Sequence, residues 1–103
     1  MANDEHVALI KQGVETWNAW RKEHPGARPD LRLADLSGAD LSATRLFRAK
    51  LFRADLTETT LTKANLSLAD LTGATLSGAT LSGATLTSTK LSGADLSLAN
   101  LSS

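Results

Sequence analysis

A leucine recurs at every fifth position from Leu31 to Leu101, fifteen times without a skip. From residue 34 onward, the residue two places before each leucine is Ala or Thr, and no charged residue occupies either position. A period of five fits neither the 3.6-residue repeat of a helix nor the two-residue repeat of a strand. A single five-residue unit buries almost no apolar surface by itself. The pattern therefore predicts a solenoid in which stacked units align their leucines as inner columns.

The segment ahead of the array predicts one helix over residues 3–24. Asn3 or Asp4 can serve as its N-cap, and Pro25-Gly26 ends it. Its apolar stripe consists of Val7, Ile10, Val14 and Trp17. Because repeat arrays need a covered end, we expect this helix to act as a cap. A coiled-coil segment and a membrane-surface helix are weaker alternatives, since two heptads are too few and the polar face is not strongly basic.

The predicted organisation is one structural domain, with residues 1–28 as capping helix and linker and residues 29–103 as the array. The start, MANDEHVALIKQG, lacks the basic and apolar regions of a secretory signal, and no apolar run approaches a membrane span of about 18 residues. We therefore expect a cytoplasmic protein with no membrane partner.

Composition and spacing argue against catalysis. The chain has eleven acidic and eleven basic side chains and no cysteine, which argues against a basic nucleic-acid-binding domain and excludes a thiolate metal site. His6 and His24 lie at opposite ends of the predicted helix, too far apart to share a metal ion. No Ser/His nucleophile pattern or phosphate loop is present. We expect no enzyme activity and no catalytic, cofactor or metal site.

The repeating units, such as ADLSG, ADLTE and ANLSL, follow the pattern A(D/N)LXX, which resembles the pentapeptide repeat family. The segment VALIKQGVETWNAWRKEHPGARPDL is similar to the helix that precedes the repeats in many bacterial members, notably cyanobacterial ones. The resemblance implies an all-β solenoid, a right-handed quadrilateral β-helix with four pentapeptides per coil. The fourteen pentapeptides from Ala34 would then form about 3.5 coils at the β spacing.

With four units per coil, residues twenty apart stack on one face. The face that carries Leu36 is then acidic outside, with Asp35, Asp55, Glu58 and Asp95. The face that carries Leu31 alternates in charge through Asp30, Lys50, Asp70 and Lys90. We interpret this alternation as support for coil-to-coil register.

The stretch RLFRAKLFRAD places large and basic side chains outward, where the rest of the array is small and polar. We predict a docking patch for an acidic partner there, a protein rather than a nucleic acid. The predicted patch consists of Arg45, Phe47, Arg48, Lys50, Phe52 and Arg53. Two structural alternatives remain open: the phenylalanines pack against each other beneath arginine stems, or they pack beneath the capping helix.

The sequence ends at ANLSS without a visible cap. End-to-end pairing of two chains is one way to cover such an end, and it predicts a homodimer interface at Leu96, Leu98 and Leu101. A frayed and capped last half-turn, or continuation in a longer protein, would also account for it.

The function indicated is a non-catalytic scaffold or protein-interaction module. One alternative is a DNA-mimic inhibitor or protector of the topoisomerase gyrase, which the resembling family includes, although that function implies a long acidic rod. Another is an ice-binding hydroxyl lattice on the face of Thr60-Leu61-Thr62 and Thr80-Leu81-Ser82, where Asn100-Leu101-Ser102 interrupts the threonines.

Overall fold

The computed structural model describes residues 2–102 and begins with two helices, α1 (Asp4–Lys11) and α2 (Val14–Glu23). The side chain of Asn3 caps α1 by accepting hydrogen bonds from the N–H groups of Glu5 and His6. The prediction of a single helix over residues 3–24 was wrong. Gly13 separates the helices with φ 115° and ψ 163°, a conformation that glycine adopts without steric cost.

From Asp30 onward, the described residues form a four-sided solenoid. Within residues 2–102, eleven parallel β-bridges each join residues twenty apart, from Asp30↔Lys50 to Thr80↔Asn100. Each bridge is a single isolated pair, so every side of the coil contributes one β residue per layer rather than a long strand. Residues twenty apart therefore stack on one face, the spacing that the family resemblance implies.

Backbone hydrogen bonds between coils hold this register. In the unit around Leu56, the N–H groups of Asp55, Leu56 and Glu58 bond to carbonyls of neighbouring coils at 2.9, 2.7 and 2.8 Å. The N–H of Thr59 closes a turn onto the carbonyl of Leu56 at 3.0 Å. Four of the five peptide N–H groups in the unit are thus satisfied by main chain.

A left-handed residue closes every turn. The second residue after each inner leucine has φ between 55° and 70° in all fourteen units from Leu33 to Leu98. With the three-residue hydrogen bond, this is the pattern of a type II turn. Nine of the fourteen are not glycine, although the conformation costs an L-residue roughly 1–2 kcal/mol. The ladders above and below each turn fix the backbone strongly enough to impose it.

The interior consists of the leucines and the small residues two places before them. The inner leucines from Leu31 to Leu81 are at most 4% exposed. Thr44 and Thr59 are fully buried, and their hydroxyls donate to the carbonyls of Leu41 and Leu36. The indole of Trp17, also fully buried, joins this core from α2. Among residues 2–102, no helix has the length and apolar character needed to cross a bilayer.

The imposed left-handed turns predict opposite effects for one substitution at two exposed sites. Ser88 has φ 56°, whereas Ser92 is not among the residues with positive φ. We expect Ser88→Gly to raise the free energy of unfolding by about 0.5–1 kcal/mol because it relieves left-handed strain. Ser92→Gly should lower the free energy of unfolding by about the same amount through chain entropy. Urea unfolding of both variants measures this, and equal losses would contradict the strain argument.

Candidate functional site

The predicted docking residues lie on two adjacent faces of the first coils. Arg45, Phe47 and Arg48 flank Leu46 on one face, and the other three flank Leu51 on the next. We call all six the basic patch. The side chains of Arg45 and Arg48 are exposed, whereas Phe47 is half-buried.

The first of these faces lies beneath α2 and the linker that follows it. Three side chains donate hydrogen bonds to its carbonyls: Trp17 Nε1 to Arg45 at 2.9 Å, Arg21 Nη2 to Phe47 at 2.6 Å, and Arg28 Nε to Arg48 at 3.2 Å. The helical segment and its linker therefore hold the backbone of this part of the patch. This arrangement is close to the second structural alternative given above, in which the phenylalanines pack beneath the capping helix.

Asn18 of α2 takes the place that a preceding coil would occupy. Its Nδ2 donates to the carbonyl of Ala43 at 3.0 Å, and its Oδ1 accepts from the N–H of Arg45 at 2.8 Å. Elsewhere in the array, the N–H at this position bonds to a carbonyl twenty-one residues earlier, as Asn65 bonds to Thr44. The side-chain amide thus reproduces a peptide group of the ladder.

Arg21 adds a buried positive charge under the patch. It is 5% exposed; Nη1 donates to the carbonyl of Ala27 at 2.8 Å, and Nε has no hydrogen-bond partner. Burial lowers the pKa of Arg21, and repulsion from Arg48 and then Arg45 lowers it further. Within residues 2–102, none of these three guanidinium groups lies within 4 Å of a carboxylate. The positive charge of this cluster is therefore not compensated by a direct ion pair.

The second face of the patch borders an open cavity of about 350 Å³, lined by Arg28, Arg32, Lys50, Phe52 and Asp70. The guanidinium carbon of Arg53 lies 5.3 Å from the centroid of the Phe52 ring, a cation–π contact. The sequence placed Lys50 and Phe52 in the docking patch and gave Asp70 only a role in coil-to-coil register. The twenty-residue register could have added Arg32, which stacks with Phe52, whereas Arg28 lies in the linker, outside any repeat.

The aspartates of the array have a structural role that the sequence analysis missed. Every Asp or Asn directly before an inner leucine accepts a hydrogen bond from the N–H two residues later, at 2.9–3.2 Å. These residues are Asp30, Asp35, Asp40, Asp55, Asn65, Asp70, Asp95 and Asn100. In this Asx turn, the side chain accepts the one N–H group of the five-residue unit that makes no hydrogen bond to the main chain.

These bonds favour the ionised carboxylates. The hydroxyl of Ser37, and then its N–H group, donates to Asp35 and lowers the pKa of that carboxyl. Ser97 lowers the pKa of Asp95 in the same way. The ion pair with Arg32 is the main cause that lowers the pKa of Asp30 to about 2. Carboxylates held ionised in turns are poorly suited to general acid catalysis near neutral pH.

Both histidines pack against Trp20 of α2. The rings of His6 and His24 lie 5.0 and 5.1 Å from the Trp20 ring, and His6 Nδ1 accepts from the N–H of Asp30 at 3.0 Å. Throughout residues 2–102, no group of three or more His, Cys, Asp or Glu side chains is arranged to hold a metal ion.

The predicted end-to-end interface lies on the last coil. Within residues 2–102, the N–H groups of Leu86, Leu91 and Leu96 have no coil-to-coil partner. Leu96 is half-buried and Leu101 is 55% exposed. Leu98 is 91% exposed and occupies a left-handed corner, so it projects from the coil instead of ending an inner column.

Comparisons with known proteins agree with this geometry. The sequence model of the family described as Pentapeptide repeats (8 copies) matches residues 49–87 and 64–102, together just over half of the chain. A pentapeptide repeat protein from the thylakoid lumen of Arabidopsis thaliana is 32% identical, with a TM-score of 0.69 over 77% of this chain. One from the cyanobacterium Cyanothece 51142 is 35% identical, with a TM-score of 0.59 over 65%.

The chain spans 57% and 53% of the lengths of these two solved structures. No curated protein matches it. Similarity to these pentapeptide repeat structures implies that the solenoid is a right-handed quadrilateral β-helix.

The lowered aspartate pKa values predict how stability depends on pH. The unfolded pKa of Asp is about 3.9, so the turns of Asp35 and Asp95, whose pKa values are lowered in the fold, stabilise it fully above that pH and lose their contribution as the pH falls through the lower folded values. We expect Asp35→Asn with Asp95→Asn to make the melting temperature less sensitive to acid, because the amide oxygen still accepts the N–H, as it does at Asn65.

The matched control is Glu15→Gln with Glu23→Gln, two helix carboxylates outside the Asx turns. Thermal melts from about pH 5 to about pH 2, spanning the Asp and Glu titrations, compare the three proteins. An acid dependence of the Asp variant as steep as that of the wild type would contradict the role assigned to the turns.

Proposed function

Because the chain belongs to the pentapeptide repeat family, we propose that it is a non-catalytic interaction module that docks an acidic protein surface on its basic patch. The observation that carries the proposal is the cluster of Arg21, Arg45 and Arg48, none of which has a carboxylate within 4 Å among residues 2–102. Burial, and then repulsion from Arg48 and Arg45, lowers the pKa of Arg21. An acidic partner would neutralise this charge.

The composition of the patch also supports docking. Aromatic and arginine side chains are enriched in protein interfaces and supply many of their strongest contacts. The six residues stand on a backbone fixed by the coil ladder and by α2, so a partner would meet a surface that is already ordered. Preorganisation of this kind lowers the entropic cost of binding.

In this proposal, residues 1–28 cap the array and residues 29–103 form the β-helix of about 3.5 coils, together one domain. Support for the cap comes from Trp17 and Asn18, which bond to the free edge of the first coil. Capping would keep that edge from pairing with other chains and would position α2 beside the basic patch.

The other surfaces support alternative functions less well. On the acidic face, the Asp35, Asp55 and Asp95 carboxylates already accept hydrogen bonds from the backbone, and Thr75 separates the last two in the bridged column. The neutral chain lacks the acidity expected of a DNA mimic. The hydroxyl column of Thr60 and Thr80 is bounded by Asp40 and Asn100, which limits it as an ice-binding lattice.

Affinity capture from the source cell tests the docking proposal. We expect the wild-type chain to retain an acidic protein that a variant with Arg45→Gln, Arg48→Gln and Arg53→Gln loses. Because surface charge pairs weaken with salt, the retained protein should elute as ionic strength rises.

The matched control removes three cations outside the patch: Lys11→Gln, Lys63→Gln and Lys90→Gln. It has the same net charge as the patch variant and should retain the partner. Circular dichroism melts confirm that both variants are folded. Equal retention of the acidic protein by the two variants would refute the patch as the docking surface.

We also propose that the last coil pairs end to end with a second copy, based on its unpaired N–H groups and on exposed Leu98 and Leu101. Light scattering over a concentration series should show a dimer that Leu98→Glu with Leu101→Glu converts to a monomer. Leu33→Glu is the control, because Leu33 is a 58% exposed leucine at the opposite end. A wild-type monomer at every concentration would exclude the pairing.

A further inference from the structure

We propose that the open cavity beside the basic patch binds an acidic side chain of a partner segment together with the apolar side chain next to it. The inference rests on the proposed function and assigns the position at which the docked protein would be recognised. The volume of about 350 Å³ is near the lower end of the usual range for binding pockets, about 300–1,000 Å³. The cavity therefore suits one or two side chains.

The walls of the cavity are fixed by the coil ladder. Lys50 and Asp70 form a parallel β-bridge, and Arg32 and Phe52 are twenty residues apart on the neighbouring outward column. The carbonyl of Phe52 accepts the N–H of Leu33 at 3.0 Å, which joins the two coils at this point. Side chains on such a rigid frame form a binding site without prior rearrangement.

The linker completes the site from the other side. Arg28 lines the cavity while its Nε donates to the carbonyl of Arg48 at 3.2 Å. This bond connects the cavity to the first face of the basic patch. A segment that crosses the patch can therefore reach the cavity without leaving the protein surface.

The charges of the lining favour a singly charged anion. Three cations and one carboxylate line the cavity, and the Asp30 carboxylate next to it holds Arg32 through bonds of 2.8 and 2.6 Å. Hydrogen bonds from Thr72, and then the charges of Lys90 and Arg28, lower the pKa of Asp70, so that carboxylate is ionised at neutral pH. Asp70 would repel the second negative charge of a phosphate, whereas one carboxylate can pair with Arg28 and Lys50.

Phe52 adds the apolar part of the recognition. Its side chain is 37% exposed, lines the cavity and contacts the Arg53 guanidinium. An apolar side chain beside the bound carboxylate would cover the remaining exposed ring. Since Phe52 belongs to both the cavity and the basic patch, the proposal assigns the bound carboxylate to a side chain within a segment that continues across the patch.

Titration of ¹⁵N-labelled protein with short peptides tests the site. We expect acetyl-Glu-Leu-amide to shift the amide resonances of Arg28, Phe52 and Asp70. Acetyl-Gln-Leu-amide, which lacks the charge, should bind at least about tenfold more weakly. Equal affinity of these two peptides would overturn the proposal. Tighter binding of acetyl-Gln-Leu with a free terminal carboxylate would overturn the assignment to an acidic side chain.

Lys50 and Lys90 provide a matched pair of variants. Both form bridges with Asp70 on the same face, but only Lys50 lines the cavity. We expect Lys50→Gln to weaken binding of the acidic peptide about tenfold and Lys90→Gln to leave it nearly unchanged. Equal effects would overturn the proposal. If Lys50→Gln fails to fold in a thermal melt, Arg28→Gln in the exposed linker gives the same comparison.

The peptide titration and the capture experiment can fail separately. If the wild type retains an acidic partner through Arg45, Arg48 and Arg53 while the acidic peptide leaves the cavity resonances unshifted, the cavity proposal is wrong and the docking function stands. If the peptide binds the cavity but patch and control variants retain the partner equally, the proposed docking surface is wrong and the cavity is an independent carboxylate site.

Discussion

The hydrogen-bond ladder between coils is the interaction on which the rest of this structure depends. Each unit from Leu51 to Leu81 gives three of its N–H groups to neighbouring coils and one to its own turn, and an Asx side chain accepts the fifth where the sequence provides one. Because every coil supplies partners for the next, the left-handed turns and the twenty-residue register are imposed even on Arg48 and Leu68. The same dependence leaves unsatisfied groups wherever the array begins or ends.

At the first coil, side chains replace the missing neighbour. The Asn18 amide stands in for a peptide group, and Trp17 and Arg21 bond to the carbonyls on either side of Leu46. This arrangement buries the Arg21 guanidinium beneath those of Arg45 and Arg48, so the helix that bonds to the first coil also adds a positive charge to the basic patch. The linker that returns from α2 then places Arg28 at the cavity. The patch and the cavity therefore both depend on the helical segment and its linker.

The outward positions carry the information that distinguishes this chain from other solenoids. Leucines and small residues fill the interior of the middle coils, and the ladder tolerates many side chains at the corners, including Arg53 and Glu58 in left-handed conformation. Outward residues can therefore vary without a change of fold, although a non-glycine residue at a left-handed corner costs stability. The aspartates before leucine are an exception, because their carboxylates serve the turns, and an acidic face need not be a binding face.

The sequence alone determined the period and the inward position of the leucines and of the small residues two places before them, because both are read from a pattern that repeats every five residues. It also pointed to Lys50 and Phe52 as unusual outward residues. Only the structure decided that Gly13 divides the N-terminal segment into two helices, that Asn18 completes the ladder, and that Arg28 and Asp70 line one cavity. Asn18 meets residues 25 or more positions away, and Arg28 and Asp70 are farther apart still in the chain, and no local pattern encodes such distances. Glycine is compatible with a helix interior as well as with a break, so its identity alone did not decide the conformation of Gly13.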